Sequence, residues 1–126
     1  MKQHTFNFGC WTVAAALGLT GCASAPPPPP KQVLEYERHT SVGLEKHAQG
    51  YVGQAHGAFL RALAHAELDD SAERIASALI NLGGSELLLD NVEAAARVYA
   101  RAVREARQAK ASGLEWQAQN GLAEAT

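Results

Sequence analysis

The sequence predicts an all-α domain, a short α-solenoid of about five helices that pair into helical hairpins. No proline occurs after Pro30, so nothing in the long remainder of the chain blocks helix formation. Apolar residues in that remainder recur at i, i+3 and i+4, the spacing of an amphipathic helix. A shift of 40 residues aligns matching residues along it, which indicates a repeated unit of two helices.

The first 30 residues form a separate segment, because no Asp, Glu, Lys or Arg lies between Gln3 and Pro30. Lys2 gives a positive start, and an apolar run from Cys10 to Leu19 follows it. Ten helical residues span only about 15 Å, half of a bilayer core. The run therefore predicts a secretory signal peptide over residues 1–21 and not a transmembrane helix.

The end of this run, Leu19-Thr20-Gly21-Cys22, resembles the lipobox of bacterial lipoproteins. The resemblance implies that the thiol of Cys22 is lipidated and that cleavage makes Cys22 the first residue. It also implies an outer-membrane lipid anchor facing the periplasm, since Ala23 and Ser24 stand where an Asp favours inner-membrane retention. The alternative is an ordinary signal peptide beside a free cysteine. No cofactor is expected apart from the covalent lipid on Cys22.

A proline-rich linker follows, so residues 22–31 are predicted to be the lipidated N-terminus and a spacer. The segment Pro26–Pro30 favours polyproline II, which rises about 3.1 Å per residue and makes a semi-rigid spacer of about 15 Å. A PxxP ligand for a signalling domain is the alternative. In an exported protein, a spacer that lifts the domain off the lipid headgroups is favoured.

The helical domain is predicted to occupy residues 32–126. Its predicted helices span about 32–49, 52–67, 71–88, 91–110 and 113–125. Three helix starts have the form of a capping box, in which the side chain before the helix accepts from backbone N–H groups. These are Asp70 with Glu73, Asp90 with Glu93, and Ser112 with Glu115. Gly50, in the place of Asp90, is expected to begin the second helix. The fourth helix carries one apolar stripe, made of Ala95, Val98, Tyr99, Ala102, Val103 and Ala106.

The repeated units share small and aromatic positions. The second unit has a Leu-Gly pair in its first helix and a small–aromatic–small pattern in its second, at Leu82, Gly83, Ala95, Tyr99 and Ala102. The first unit has the same register at Gly43, Ala55, Phe59 and Ala62, and the third has only a first helix, with Leu122 and Ala123. This pattern resembles the tetratricopeptide (TPR) repeat over residues 34–126. The period of 40 rather than 34 and the missing closing proline depart from it. A HEAT-type solenoid has a period nearer 40 but lacks this placement.

The resemblance implies that partner proteins bind a concave face built by the first helix of each unit. Carried over by register, that face contains Thr40, Leu44, His47, Ser77, Ile80, Gly84 and Leu87. Its apolar middle suits a helix or an extended segment with aliphatic anchors. The basic and Asn residues of the chaperone-tail clamp are missing, which disfavours that ligand. The alternative, that Leu44, Ile80 and Leu87 belong to the interhelix core, stays open.

Charge and motifs argue against several function classes. The net charge is −2, so no cationic surplus is present for nucleic-acid binding. No nucleophile elbow, phosphate-binding glycine loop or zinc-protease motif occurs, so no enzyme is predicted. No metal site is predicted either, because no two of the four histidines after the predicted signal peptide are four residues apart on one helix face. These are His39, His47, His56 and His65.

The fourth predicted helix carries a basic stripe, with Arg97, Arg101 and Arg104 close together around the helix. Such a stripe could contact anionic lipid or an acidic partner. A solvated helix face with cations near its C-terminus is the favoured interpretation.

These features predict a membrane-anchored lipoprotein that uses its helical domain as a protein–protein interaction scaffold in envelope assembly. Pilus or secretin, outer-membrane and cell-wall machineries are all compatible with it. The alternative is a self-associating structural lipoprotein of the envelope. Solenoids usually need about three units and this chain has two and a half, so either the last helix caps the array or a second copy completes it.

Overall fold

The computed structural model of the chain describes residues 24–126 and contains five α-helices, with no strand in that range. The helices are α1 (Lys31–Ala48), α2 (Val52–Leu68), α3 (Ala72–Leu88), α4 (Val92–Gln108) and α5 (Ser112–Glu124). The all-α class and the five predicted helices are confirmed, with every helix end within two residues of its predicted place. The predicted signal peptide and the lipidation site Cys22 lie outside the described residues.

Successive helices are antiparallel neighbours, because a turn of only three residues separates each from the next. The pairs α1–α2 and α3–α4 form two hairpins, and α5 packs on α3 and α4 as half of a third. This arrangement is a helical-repeat array compatible with a TPR-like fold. Within residues 24–126, no helix has the length and hydrophobicity needed to cross a bilayer.

The turns close each helix with a left-handed residue. Gly50, Asp70, Asp90 and Lys110 have φ values of 81°, 51°, 62° and 54°. The N–H group that follows each of them donates to the carbonyl five residues earlier in the preceding helix, at 2.9–3.3 Å, as in a Schellman motif. The predicted capping roles of Asp70 and Asp90, and the predicted start at Gly50, are therefore wrong. These residues end the preceding helix because Gly and Asp tolerate positive φ.

The residues that precede the helices differ from the predicted caps. Across the described helices, only Ser71 caps with its side chain, accepting a hydrogen bond from the backbone N–H of Arg74 at 3.4 Å. Asn91 and Ala111 precede α4 and α5, and Ser112 lies inside α5 as its first residue. The capping box predicted for Ser112 is therefore also wrong.

The left-handed residues recur every 20 positions, so the smallest regular segment is one helix and one turn. Each of α2, α3 and α4 contains 17 residues, and a turn of three residues completes each segment. The 40-residue period seen in the sequence is therefore two equal segments that run in opposite directions.

Two aromatic side chains fill the places where helices approach most closely. Phe59 of α2 lies against Gly43 of α1, where a Cβ would come within 2.3 Å of the ring. Tyr99 of α4 lies between Gly83 of α3 and Gly121 of α5, where a Cβ would come within 2.8 Å and 2.2 Å of the ring. Only glycine leaves room for the ring at these three positions.

The first helix begins directly at the end of the proline spacer. Pro30 precedes α1 with φ −54° and ψ 147°, close to polyproline II dihedrals. Its carbonyl accepts hydrogen bonds from the N–H groups of Val33 and Leu34 at 3.0 Å and 3.2 Å. The last spacer residue is thus part of the first turn of the helix, so the spacer and α1 are joined without a loop.

Candidate functional site

A pocket opens on the face formed by the first helices of the units, α1, α3 and α5. Its volume is about 330 Å³, at the small end of ligand pockets. Tyr36 of α1 and Leu114 of α5 give it an apolar wall, and the N-terminal part of α3 gives it a polar rim. The rim consists of Ser71, Glu73, Arg74 and Ser77. Arg74 is held in place by an ion pair with Asp69. The pocket is therefore large enough for one or two side chains of a partner segment.

The seven residues predicted for the concave face have different surroundings in the structure. Leu44 and His47 of α1 are exposed, and 51% of the surface of Leu44 is accessible. Of the seven, Ser77 lines the described pocket. Thr40 and Gly84 are half-buried. The accessible part of the predicted face is thus divided between the C-terminal half of α1 and the N-terminal half of α3.

Two of the predicted face residues pack into the interior. Ile80 contacts both the central core and the cluster formed by Ala95, Tyr99 and Ala125. Leu87 packs against the same cluster. For these two side chains, the interhelix core interpretation describes the packing better than an open groove does. Whether the remaining positions bind a partner stays a prediction.

Thr40 places a polar atom in an apolar setting. Its Oγ1 is buried and has no hydrogen-bond partner among the described residues. A buried hydroxyl without a partner costs about 1–3 kcal/mol. This position therefore weakens the fold at the centre of α1.

The last helix leaves one of its faces uncovered. The 40-residue repeat aligns Trp116 of α5 with Ala76 of α3 and Tyr36 of α1. Tyr36 and Ala76 are 9% and 0% exposed, whereas Trp116 is 65% exposed. Tyr36 packs in a core cluster with Ala62 and Ala66 of α2, and the described chain has no corresponding helix after α5. The surface around Trp116 is therefore the position that a further helix would cover.

The basic stripe of α4 is partly neutralised by ion pairs. Arg101 lies 2.7 Å from Glu67 of α2 and 3.5 Å from Glu105 of its own helix. Arg107, which follows the stripe on the same helix, lies 2.7 Å from Glu115 of α5. These pairs connect α4 to its neighbours and favour a solvated helix face over a lipid-binding stripe.

A cluster that histidine spacing alone does not reveal joins α1 to α2. The rings of His39 and His65 stack, with centroids 5.5 Å apart and planes 12° apart. Glu35 lies one turn before His39, and its Oε2 is 3.7 Å from Nε2 of His39. Potential ligand atoms of the three residues all lie within 4.8 Å of one another. The Glu35–His39 spacing of four residues is the only part of this cluster that the sequence could have indicated.

Nearby arginine side chains contribute to lowered pKa values of Glu35 and His39 in this cluster. Arg38 donates two hydrogen bonds to Oε2 of Glu35, at 2.6 Å and 3.1 Å, and these lower the pKa of Glu35. Burial lowers the pKa of His39, and the charges of Arg38 and Arg61 act in the same direction while Glu35 opposes them. His39 is therefore a neutral imidazole at neutral pH.

Another histidine, His56, joins the two hairpins. Nε2 of His56 in α2 donates to Oε1 of Glu86 in α3 at 2.8 Å, and Nδ2 of Asn91 donates to Oε2 of Glu86 at 2.8 Å. Burial acts to raise the pKa of Glu86, but these two hydrogen bonds outweigh it and the pKa is lowered. The carboxylate thus fixes α2 and the turn after α3 to one another.

Comparison of the chain with protein-family models, curated proteins and solved structures finds no match. The fold class therefore depends on the five helices and their packing alone.

Proposed function

We propose that the chain is a lipid-anchored protein of the outer membrane whose helical array holds a partner protein in the periplasm. The observation that carries the proposal is the order of three segments: the lipobox-like Leu19-Thr20-Gly21-Cys22, the spacer Pro26–Pro30, and α1. Because α1 begins at Lys31, directly after Pro30, the spacer would hold the array at a set distance from the lipid. Such a set distance is compatible with a scaffold for envelope assembly.

The anchor is testable through the Cys22 thiol. Each buried CH₂ contributes about 0.8 kcal/mol, so two or three acyl chains on Cys22 would hold the protein firmly on a membrane. We expect labelled palmitate to be incorporated into the wild-type chain and into Cys10→Ser, and to be lost in Cys22→Ser. Labelling that persists in Cys22→Ser would refute the anchor.

The partner surface that the structure supports best is the pocket among α1, α3 and α5, together with the exposed Leu44. Tyr36 and Leu114 offer an apolar wall for one aliphatic side chain, and the rim of α3 offers hydrogen-bonding groups. A helix or an extended segment with an aliphatic anchor suits this combination.

Photo-crosslinking in intact cells tests this surface. A crosslinking amino acid at Ser77 or Leu44 should capture a defined partner, whereas one at Ala64, on an exposed part of α2, should not. Ser77→Arg should fill the pocket and abolish capture from Leu44 without unfolding the array. Equal capture from Ala64, or unchanged capture in Ser77→Arg, would contradict the proposed surface. Ile80 and Leu87 are unsuitable for charge substitutions because both pack into the interior.

Self-association is the second candidate function, and the exposed Trp116 favours it. A second copy that covered the open face of α5 would complete the third hairpin. Sedimentation of the wild-type chain should then reveal a dimer that Trp116→Ser dissociates. A wild-type chain that stays monomeric at high concentration would exclude this function.

A further inference from the structure

The cluster of Glu35, His39 and His65 has the composition of a metal site. Two imidazoles and one carboxylate approach each other across the α1–α2 hairpin, and potential ligand atoms of all three lie within 4.8 Å of one another. To bind a metal ion at their centre at bond lengths of about 2.0–2.2 Å, the stacked rings of His39 and His65 would have to rotate so that a nitrogen lone pair of each points at the ion. We propose that Glu35, His39 and His65 bind a divalent first-row transition-metal ion such as Zn²⁺, and that the ion links α1 to α2.

The donor set decides the class of metal. Imidazole nitrogens suit Zn²⁺, Cu²⁺ and Ni²⁺, whereas Mg²⁺ and Ca²⁺ take mainly oxygen ligands. Three protein ligands leave at least one coordination position for water, as in open zinc sites. The three residues are half-buried, so the ion has access from solvent.

A fourth residue orients one of the imidazoles. Nδ1 of His65 hydrogen-bonds to Oε1 of Gln32 at 2.8 Å, and since this amide oxygen only accepts, Nδ1 is the protonated nitrogen. Nε2 of His65 then keeps its lone pair free for a metal. Histidine ligands usually donate their other N–H to a carbonyl or carboxylate oxygen in this way, which fixes the ring and its tautomer. The hydrogen bond from His65 to Gln32 is an independent sign that the ring is set up as a ligand.

Arg38 competes with a metal for the carboxylate. Its guanidinium donates both hydrogen bonds to Oε2 of Glu35 and lies 3.4 Å from Nε2 of His39. The Arg38 side chain is 62% exposed, so it can turn into solvent when a cation enters. The site is therefore expected to bind metal more weakly than one without this arginine.

Calorimetric titration of the full-length chain with Zn²⁺ tests the site. The chain is purified without a polyhistidine tag, and any free cysteine thiol is alkylated because thiols also bind Zn²⁺. We expect one Zn²⁺ per chain and no heat of binding with Mg²⁺. His39→Gln and His65→Gln should each weaken binding by at least about 100-fold, since losing only an outer hydrogen-bond partner costs about 10- to 100-fold. Gln32→Met should weaken it by about tenfold.

His47→Gln is the matched control, because His47 is an exposed histidine of α1 outside the cluster. It should bind Zn²⁺ like the wild-type chain. Binding that is absent in the wild-type chain, lost in His47→Gln, or kept in both His39→Gln and His65→Gln would overturn the proposal. Circular dichroism of each variant establishes that the helices are intact.

Arg38→Ala gives a test that does not depend on core substitutions. Removing an exposed competing ion pair should tighten Zn²⁺ binding by about two- to fivefold. Zn²⁺ should also raise the midpoint of thermal unfolding in this variant by more than in the wild-type chain. Unchanged or weaker binding in Arg38→Ala would overturn the assignment of Glu35 as a ligand and with it the three-ligand site.

Discussion

The ring of Tyr99 lies against the α-carbon of Gly121, so that a Cβ at this position would come within 2.2 Å of Cε1. The opposite edge of the same ring contacts Gly83, where a Cβ would come within 2.8 Å of Cε2. One aromatic side chain of α4 therefore determines how closely both α3 and α5 approach. The last helix, which has no hairpin partner in the described chain, depends on this contact for its place in the array.

Gly121→Ala is expected to lower the free energy of unfolding by about 1–3 kcal/mol, the usual cost of overpacking a filled core. Gly57→Ala is the matched control, because a Cβ there meets only Nη1 of Arg61, at 3.8 Å. In a helix interior, Ala is more favourable than Gly by up to about 1 kcal/mol, so this variant should gain stability. Urea denaturation measures both, and a loss of equal size in Gly57→Ala would contradict the role of the ring.

Lys110→Gly is expected to raise the free energy of unfolding by about 1 kcal/mol. Lys110 has φ 54°, a conformation that costs residues other than glycine about 1–2 kcal/mol. Gly50→Ala, at the corresponding turn with φ 81°, should lose a similar amount. Guanidinium denaturation of the two variants should therefore move the midpoint in opposite directions. Shifts of the same sign would argue against backbone strain as the cause.

Thr40→Val should stabilise the chain by about 1 kcal/mol, because it removes a buried hydroxyl without a partner and keeps the shape of the side chain. Thr40→Ser keeps the hydroxyl and loses the methyl group, so it should destabilise the chain. The measurement is the midpoint of thermal unfolding. A loss of stability in Thr40→Val would mean that the hydroxyl is hydrogen-bonded in solution, for instance to water.

Glu86 is expected to make part of the stability depend on pH. Its pKa in the folded chain lies below its ordinary value of 4.5, so the unfolded chain binds the proton more tightly. The stabilisation is fully present above pH 4.5 and is lost as the pH falls through the lower folded pKa. Glu86→Gln should lose about 1–2 kcal/mol at pH 7 and decline less steeply in acid.

Asn91→Ala tests the same pH dependence with a milder change than Glu86→Gln, because it removes one of the two hydrogen bonds to the Glu86 carboxylate. It should give a smaller change of the same kind, measured by urea denaturation at several pH values between 3 and 7. An unchanged acid decline in Glu86→Gln would assign the pH dependence to other groups.

The helices were predictable from the sequence because their signals are local. The apolar stripe of α4 recurs every three or four residues, and Tyr99, Ala102 and Val103 within it are buried as expected. Hydrophobic periodicity needs no knowledge of the partner helix. The turns were less predictable, because Asp is suitable both before a helix and at its left-handed end. Asp70 and Asp90 are each followed by Glu three positions later, so both match the capping box. As Asp residues, both also tolerate the left-handed conformation at a helix end.

The histidine cluster and the accessible part of the predicted concave face depend on contacts between helices. His39 and His65 meet because the three-residue turn after α1 sets the register of α2 against it, and no spacing along the chain contains that information. The repeat pattern placed Ile80 and Leu87 on the inner side of α3, but it could not tell an open side from one that a neighbouring helix covers. Packing of α3 against α4 and α5 decides that question.

The three-residue turns give the array two distinct ends. Because the helices alternate in direction, the start of α1 shares one end with the turns at Asp70 and Lys110, and the turns at Gly50 and Asp90 lie at the other. The pocket is at the same end as Pro30, whereas Thr126 is at the opposite end, beyond the length of α5, which is about 20 Å. If the chain is anchored as proposed, a fluorophore at Thr126 would lie farther from the lipid than one at Lys110. The partner would then bind at the end of the array that is nearer to the membrane.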